Sequence, residues 1–126
     1  MNTEKSVILI DDCEIDNFIT TKLLEFHGIT KIQSFNQSTL AFSHLAKIKI
    51  PPSYMFIDMN MPVMNGIEFV KKIKELDHFH STKLIVTTAS INPNDKLIVE
   101  ELNCCFIEKP LTQQNILKIL NSSKLT

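Results

Sequence analysis

The sequence predicts an α/β fold in which a parallel β-sheet is covered by helices on both faces. Two observations predict it: five short apolar runs recur along the chain, and a segment with helical spacing of apolar residues follows each run. Parallel neighbours need a crossover connection, which a helix supplies. Because such crossovers are right-handed, they place helices on both faces, and the sheet is predicted to be doubly wound.

The predicted strands are short, and the last one contains two adjacent cysteines. The five runs are SVILI (6–10), KIQSF (31–35), YMFID (54–58), KLIVTT (83–88) and CCFI (104–107). Successive side chains of a strand point to opposite faces. Cys104 and Cys105 are therefore expected on opposite sides of the sheet.

The spacing of apolar residues predicts one buried face for each helix. From first to fifth, the marking residues are Ile15, Phe18, Ile19, Leu23 and Phe26; Leu40, Ala41, Leu45 and Ile48; Ile67, Val70, Ile73 and Leu76; Leu97, Ile98 and Leu102; and Ile116, Ile119 and Leu120. Gly28 is expected to close the first helix in a left-handed C-cap. Pro51 and Pro52 are expected to stop the second, while Asn92 and Thr112 are expected to cap the fourth and fifth.

Length and composition limit the class of protein. The chain has 126 residues, 44% of them apolar and 21% charged, and shows no linker, so one domain over 1–126 is expected. Apolar runs are far shorter than the roughly 20 residues of a membrane span, which predicts no membrane insertion. Residues 1–5 (MNTEK) lack a signal-peptide pattern, so a cytoplasmic location is expected.

Charge and cysteine content exclude two further classes. All 13 basic residues are scattered lysines, and arginine is the side chain best suited to reading guanine, so no direct nucleic-acid binding is expected. Cys13, Cys104 and Cys105 are odd in number and lack CxxC spacing. A disulfide framework is therefore not predicted.

Residues suited to phosphoryl chemistry collect at the ends of the predicted strands. They are Asp11 and Asp12 after the first, Asp58 at the end of the third, Thr88 at the end of the fourth and Lys109 after the fifth. Ligands of open parallel sheets bind beyond these carboxyl ends. Clustered carboxylates repel one another unless a cation such as Mg²⁺ lies between them. An ammonium and a hydroxyl beside them suit a transferring phosphoryl group, which makes Asp58 the candidate nucleophile.

Four segments together resemble one protein family. ILIDDCEIDN, FIDMNMPVMNG, VTTAS and EKP are similar in order and spacing to the response-regulator receiver domain, the CheY-like module of bacterial two-component signalling. The resemblance covers the full chain and implies a flavodoxin-like fold with strand order 2-1-3-4-5 and five helices. It also implies a stand-alone receiver without an effector domain, which catalyses its own phosphorylation and dephosphorylation but is not a turnover enzyme.

The resemblance also implies roles for the residues at the strand ends. Asp58 would accept a phosphoryl group from a sensor histidine kinase or a histidine phosphotransfer protein. Mg²⁺ would be held by Asp12, Asp58 and the main-chain carbonyl of Asn60, with Asp11 acting mostly through metal-bound water. Lys109 would pair with the phosphoryl group.

The switch implied by the resemblance involves Thr88 and Phe106. Thr88 would bind a phosphoryl oxygen on activation. Phe106 stands where the family often has tyrosine or histidine, so switching would have to work by packing alone. The output would be phosphorylation-dependent binding of a downstream protein, in a phosphorelay, by the face formed by the fourth helix, fifth strand and fifth helix.

Two alternative functions stay open at this point. An aspartate-nucleophile phosphatase of the haloacid-dehalogenase kind also places Asp at a strand end, but it needs a second Asp two residues later, where this chain has Asn60, which cannot transfer protons. A pseudo-receiver would use the fold for interaction alone, and its usual mark is a lost site residue. Turnover of phosphoesters would separate the phosphatase from the receiver.

Overall fold

The computed structural model of the chain describes residues 4–121 as one parallel sheet with the strand order β2-β1-β3-β4-β5. The strands are β1 (Ser6–Ile10), β2 (Lys31–Phe35), β3 (Tyr54–Asp58), β4 (Lys83–Thr88) and β5 (Cys105–Glu108). The helices are α1 (Glu14–Phe26), α2 (Ser38–Leu45), α3 (Gly66–Lys74), α4 (Pro93–Glu101) and α5 (Gln113–Asn121), with a 3₁₀ turn at Asp77–Phe79. The predicted fold class, strand order and five helices are confirmed.

Helices on both faces of the sheet create two apolar layers. One layer packs residues of α2, α3 and α4 against the sheet, and the other packs residues of α1 and α5 against it. Every residue of β3 is buried, because this central strand is covered on both faces. No helix within residues 4–121 has the length and apolar character that a membrane crossing requires.

The apolar face predicted for α1 is wrong. Ile15 is 70% exposed and Phe18 is 61% exposed, whereas the buried side chains of this helix are Asn17, Thr20 and Leu24. The amide of Asn17 donates to the carbonyl oxygen of Asp11 at 3.0 Å, which compensates for burying a polar group. Periodicity of apolar residues cannot detect a buried face that is partly polar.

The apolar face predicted for α4 is also wrong. Leu97 is 63% exposed and Ile98 is 37% exposed, while Val99 is fully buried. These consecutive residues point in directions about 100° apart on a helix of 3.6 residues per turn. The apolar residues of α4 therefore spread around the helix, and one of these three directions meets the sheet.

Other predicted helix features are confirmed. Gly28 has a φ of 88° after α1, Asn92 accepts hydrogen bonds from the main chain of Asn94 and Asp95, and the hydroxyl of Thr112 accepts from the main-chain N–H of Asn115. Val70 and Ile73 of α3 are buried, as are Ile116 and Ile119 of α5. In these two helices the apolar residues cluster on one side, so their spacing identifies the buried face.

Two predicted boundaries and one predicted core residue need correction. α2 ends at Leu45, before Ile48, and Leu40 is 55% exposed. β5 begins one residue later than predicted, because the main-chain N–H of Cys104 donates to the carbonyl of Val99 and so belongs to the end of α4. Cys104 and Cys105 nevertheless pack in different layers, as expected.

The start of α3 lies against the end of β3. Asn65 caps the helix in a reciprocal capping box with Glu68. The main-chain N–H of Gly66 donates to the carbonyl of Met59 at 2.8 Å. A Cβ at position 66 would lie 2.8 Å from the carbonyl oxygen of Asp58 and 2.8 Å from the Cα of Met59. This contact requires glycine and fixes the main chain that carries Asp58.

We predict that Gly66→Ala lowers the free energy of unfolding by about 3 kcal/mol, because the added methyl group collides with main-chain atoms that cannot move independently. Gly28→Ala is the matched control, since a Cβ there meets nothing within 4 Å and the cost arises from the left-handed backbone alone. That cost is about 1 kcal/mol. Urea unfolding of both variants measures the difference. Equal losses would contradict the packing argument.

Candidate functional site

Three carboxylates meet at the carboxyl ends of β1 and β3. One oxygen each of Asp11, Asp12 and Asp58 lie within 4.8 Å of one another. β1 and β3 are neighbours in the sheet, so the residues that follow or end these strands lie side by side. Asp11 and Asp58 are 7% and 5% exposed, whereas Asp12 is exposed. The cluster therefore has a buried side, formed by Asp11 and Asp58, and a solvent-exposed side, formed by Asp12.

Hydrogen bonds hold the segment after β1 in place. The main-chain N–H of Asp11 donates to the carbonyl of Phe35 at 3.0 Å, and the carboxylate of Asp11 accepts from the main-chain N–H of Cys13 at 2.9 Å. The amide of Asn17 donates to the carbonyls of Asp11 and Phe35. Asp11 is thus tied both to β2 and to the first turn of α1.

The ammonium of Lys109 lies among the carboxylates. Its Nζ is 2.8 Å from Asp11 Oδ2, 2.9 Å from Asp16 Oδ2 and 3.2 Å from Asp58 Oδ1. The main-chain N–H of Lys109 donates to the carbonyl of Thr88 at 2.7 Å, which fixes the backbone of this residue beside β4. The lysine therefore crosses from β5 toward the ends of β1 and β3.

Burial and charge shift the pKa values of the central pair. Burial, followed by the charge of Asp11, raises the pKa of Asp58 to about 6, although Lys109 lowers it in part. For Lys109, burial alone would lower the pKa. Hydrogen bonds to Asp11 and Asp16, together with the charges of Asp11 and Asp58, outweigh that effect and raise the pKa above its usual range. Lys109 is consequently a permanent cation at neutral pH.

Three other residues predicted for the site lie around this centre. Thr88 is 2% exposed, and its hydroxyl donates to the carbonyl of Ser90 at 3.0 Å. Phe106 is half-buried, pairs in register with Val86 and packs against the layer formed by α2, α3 and α4. Asn60 is exposed in the segment after β3. The Thr88 hydroxyl is thus engaged within its own loop.

Sequence analysis missed Asp16 and Asn17, which both contact the site. Asp16 pairs with Lys109, which lies 93 positions away in the chain. Asn17 anchors Asp11. The available signal was their position in the first turn of a helix that begins directly after Asp11 and Asp12, since that turn has to lie near the carboxylates.

The ligand atoms of the cluster fit a hard divalent cation. All three side chains offer carboxylate oxygens, which Mg²⁺ prefers, and the exposure of Asp12 leaves room for the waters that Mg²⁺ retains. A permanent cation at Lys109 adds a partner for a second anionic group. The arrangement can therefore hold a metal and a phosphoryl group together.

Comparison with known proteins gives consistent matches over most of the chain. Residues 7–121 match the family described as the response regulator receiver domain. The sensor histidine kinase CheAY of Helicobacter pylori is 27% identical over 120 residues, which are 93% of this chain but 15% of that kinase. The polar-differentiation response regulator DivK of Brucella anthropi is 25% identical over 119 residues, which are 94% of each chain.

A solved structure agrees with the fold. The two component response regulator from Cytophaga hutchinsonii superposes with a TM-score of 0.85 at 28% identity, covering 95% of this chain and 96% of that one. The family match spans residues 7–121, and the strand order is the one that the resemblance implied. The chain therefore belongs to the response regulator receiver domain family, whose members are signalling modules of two-component systems.

Proposed function

We propose that this receiver accepts a phosphoryl group on Asp58 from a sensor histidine kinase or a histidine phosphotransfer protein. The observation that carries the proposal is the placement of a 5% exposed carboxylate between the carboxylates of Asp11 and Asp12 and the ammonium of Lys109. This setting restricts access of water and supplies charge for an incoming phosphoryl group. We assign Asp58 as the acceptor because it ends β3 in the segment FIDMNMPVMNG that resembles the family motif, within reach of the other carboxylates and of Lys109.

We assign the metal site to Asp12, Asp58 and the main-chain carbonyl of Asn60, with Asp11 acting through metal-bound water. Mg²⁺, when bound, would offset the repulsion among the carboxylates and screen the oxygens of the phosphoryl group. The oxygen-only side chains of the cluster support this assignment. Asp11 is already paired with Lys109 at 2.8 Å, which suits a less direct contact with the metal.

In the proposed phosphoryl transfer, Asp58 is the nucleophile and Lys109 is the cation that pairs with the phosphoryl group. A carboxylate oxygen of Asp58 forms a bond to phosphorus while the bond from phosphorus to the donor's imidazole nitrogen breaks, and the electron pair stays on the imidazole. Lys109 keeps its proton, because its pKa is raised, and pairs with the phosphoryl oxygens. The product is an acyl phosphate, which water can later hydrolyse.

Exposed apolar side chains beside the site support a protein as the phosphoryl donor. Ile15 is 70% exposed and Ile19 is 40% exposed, and both lie on the same helix as Asp16, which contacts Lys109. A phosphohistidine reaches a buried carboxylate only if its protein covers this edge of the sheet. Apolar side chains are common at the centre of such interfaces.

The proposed output is binding of a downstream protein to the face of α4, β5 and α5 in a phosphorelay. Leu97 and Ile98 on α4 and Leu117 on α5 are exposed there. The relative DivK is matched over 94% of its own length, whereas the kinase CheAY is matched over 15%. A cytoplasmic location is part of the proposal.

The first prediction concerns the acceptor. A small phosphodonor with Mg²⁺ should add one phosphoryl mass to the wild-type protein, and Asp58→Asn should abolish the addition because the amide is a poor nucleophile. Asp95→Asn, which removes a half-buried carboxylate on α4 that is not part of the cluster, is the control and should be labelled normally. Intact-mass spectrometry measures the added phosphoryl mass in the wild type and in both variants. Labelling of Asp58→Asn would exclude Asp58 as the acceptor, and repeated phosphoester turnover would favour the phosphatase.

The second prediction concerns stability and pH without metal. The pKa of Asp58 rises from 3.8 to about 6 on folding, so the folded state binds this proton more tightly than the unfolded state. The contribution of Asp58 to stability therefore falls as pH rises from about 4 to about 6. The gap between the two values corresponds to about 3 kcal/mol at most.

Asp58→Asn should accordingly raise the free energy of unfolding by about 1 to 3 kcal/mol near pH 7.5 in a chelator, with little change near pH 4. Mg²⁺ should reduce the difference in the free energy of unfolding between Asp58→Asn and the wild type, because it binds and stabilises the wild-type protein. Urea unfolding at both pH values measures the effect, with Asp95→Asn as control. A variant less stable than the wild type near pH 7.5 would contradict the argument.

The third prediction concerns the switch. Thr88 must release Ser90 to reach a phosphoryl oxygen, and we infer that Phe106 then fills the space behind β4. Burial of the half-exposed ring contributes less than the roughly 1.5 to 3 kcal/mol of full burial. Thr88→Ala and Phe106→Ala should each retain phosphorylation and weaken the binding of the downstream protein.

Because Thr88 and Phe106 would act on one coupled step, the double variant should lose little more than either single one. The measurement is the affinity for the downstream protein, with and without phosphorylation, of the wild type and the three variants. Strictly additive losses would show that Thr88 and Phe106 act separately.

A further inference from the structure

We propose that Asp16 is a positioning residue that keeps the Lys109 ammonium at the site while a divalent cation or a phosphoryl group occupies the carboxylate cluster. The inference rests on the proposed function and adds a residue to it. Its basis is a hydrogen-bonded ion pair of 2.9 Å between α1 and the residue that follows β5.

The ammonium of Lys109 is surrounded by as many carboxylates as it has protons. It carries three protons, and three carboxylates lie around it, those of Asp11, Asp16 and Asp58. The contacts to Asp11 and Asp16, at 2.8 and 2.9 Å, are shorter than the contact to Asp58 at 3.2 Å. Asp16 is therefore one of the two stronger partners of the lysine.

Asp16 differs from the other two partners in its position relative to the cluster. Asp11 and Asp58 belong to the group of oxygens that fits a metal ion, and Asp16 does not. A divalent cation in that group competes with Lys109 for Asp11 and Asp58 and also repels its ammonium. Asp16 is then the partner that still holds the lysine, from the first turn of α1.

Without Asp16, the lysine and the cation would depend on the same carboxylates. The ammonium would either leave the site when the cation binds or weaken the binding of the cation. Transfer of a phosphoryl group to Asp58 requires the metal and the ammonium to be present together. Either outcome would remove that arrangement. The negative charge of Asp16 could also stabilise the N-terminus of α1. That role would not require a contact with Lys109, nor a distance as short as 2.9 Å.

The experiment follows the side-chain ammonium of Lys109 by NMR in protein labelled with ¹⁵N-lysine, before and after Mg²⁺ is added. Lys109→Met assigns the resonance. In the wild-type protein we expect the signal to persist at saturating Mg²⁺, because Asp16 protects the ammonium from exchange with water. In Asp16→Asn the signal should disappear when Mg²⁺ is added, and Asp16→Glu should restore it.

Glu14→Gln is the matched control, since it removes an exposed carboxylate from the same helical turn, and it should behave like the wild type.

Calorimetric titration with Mg²⁺ gives a second readout. Asp16→Asn should weaken the affinity several-fold, and the loss should be smaller in the Lys109→Met background, because Asp16 acts through the lysine. Equal losses in both backgrounds would show that Asp16 acts through its charge alone and would overturn the proposal, as would a persistent ammonium signal together with an unchanged Mg²⁺ affinity in Asp16→Asn. If the wild-type protein binds no Mg²⁺, the proposed function fails as well; if it binds Mg²⁺ and is phosphorylated, a negative result concerns Asp16 alone.

Discussion

The contacts between Lys109 and the buried carboxylates are the interaction on which the rest of the site depends. Asp11 follows β1 and Asp58 ends the neighbouring β3, so the two lie side by side, and both are almost inaccessible to solvent. Two such charges repel each other, and burial removes the water that would screen them. The ammonium offsets this repulsion through contacts of 2.8 and 3.2 Å. Lys109 thereby connects the end of β5 to the ends of β1 and β3.

Rigid elements hold Asp58, the proposed acceptor, in place. β3 is buried along its whole length, so the position of Asp58 follows from the packing of both apolar layers. α3 begins in main-chain contact with the residue after Asp58, and Gly66 allows that approach. The segment around Thr88, in contrast, is closed by hydrogen bonds local to Ser90. A fixed Asp58 beside a loop held only by local hydrogen bonds would suit the proposed switch, in which one group binds while another moves.

The sequence was sufficient to predict the sheet and the carboxylate cluster. Buried strands are continuous apolar runs, and the carboxyl ends of parallel strands share one edge, so Asp11 and Asp58 could be placed together before the structure was known. The faces of α1 and α4 could not be predicted, because the buried face of α1 is partly polar and the apolar residues of α4 spread around the helix. The contact of Asp16 with Lys109 joins residues 93 positions apart, and no local pattern records it.

The geometry of α1 explains why Ile15 faces solvent. Neighbouring positions of a helix point about 100° apart. Asp16 faces Lys109 and Asn17 faces the buried segment after β1, so Ile15 is directed outward. A rotation of the helix that buried Ile15 would break the hydrogen bonds of Asn17 and the ion pair of Asp16. The exposed apolar side chain of Ile15 is therefore a direct consequence of fixing the site with the opposite side of the same helical turn.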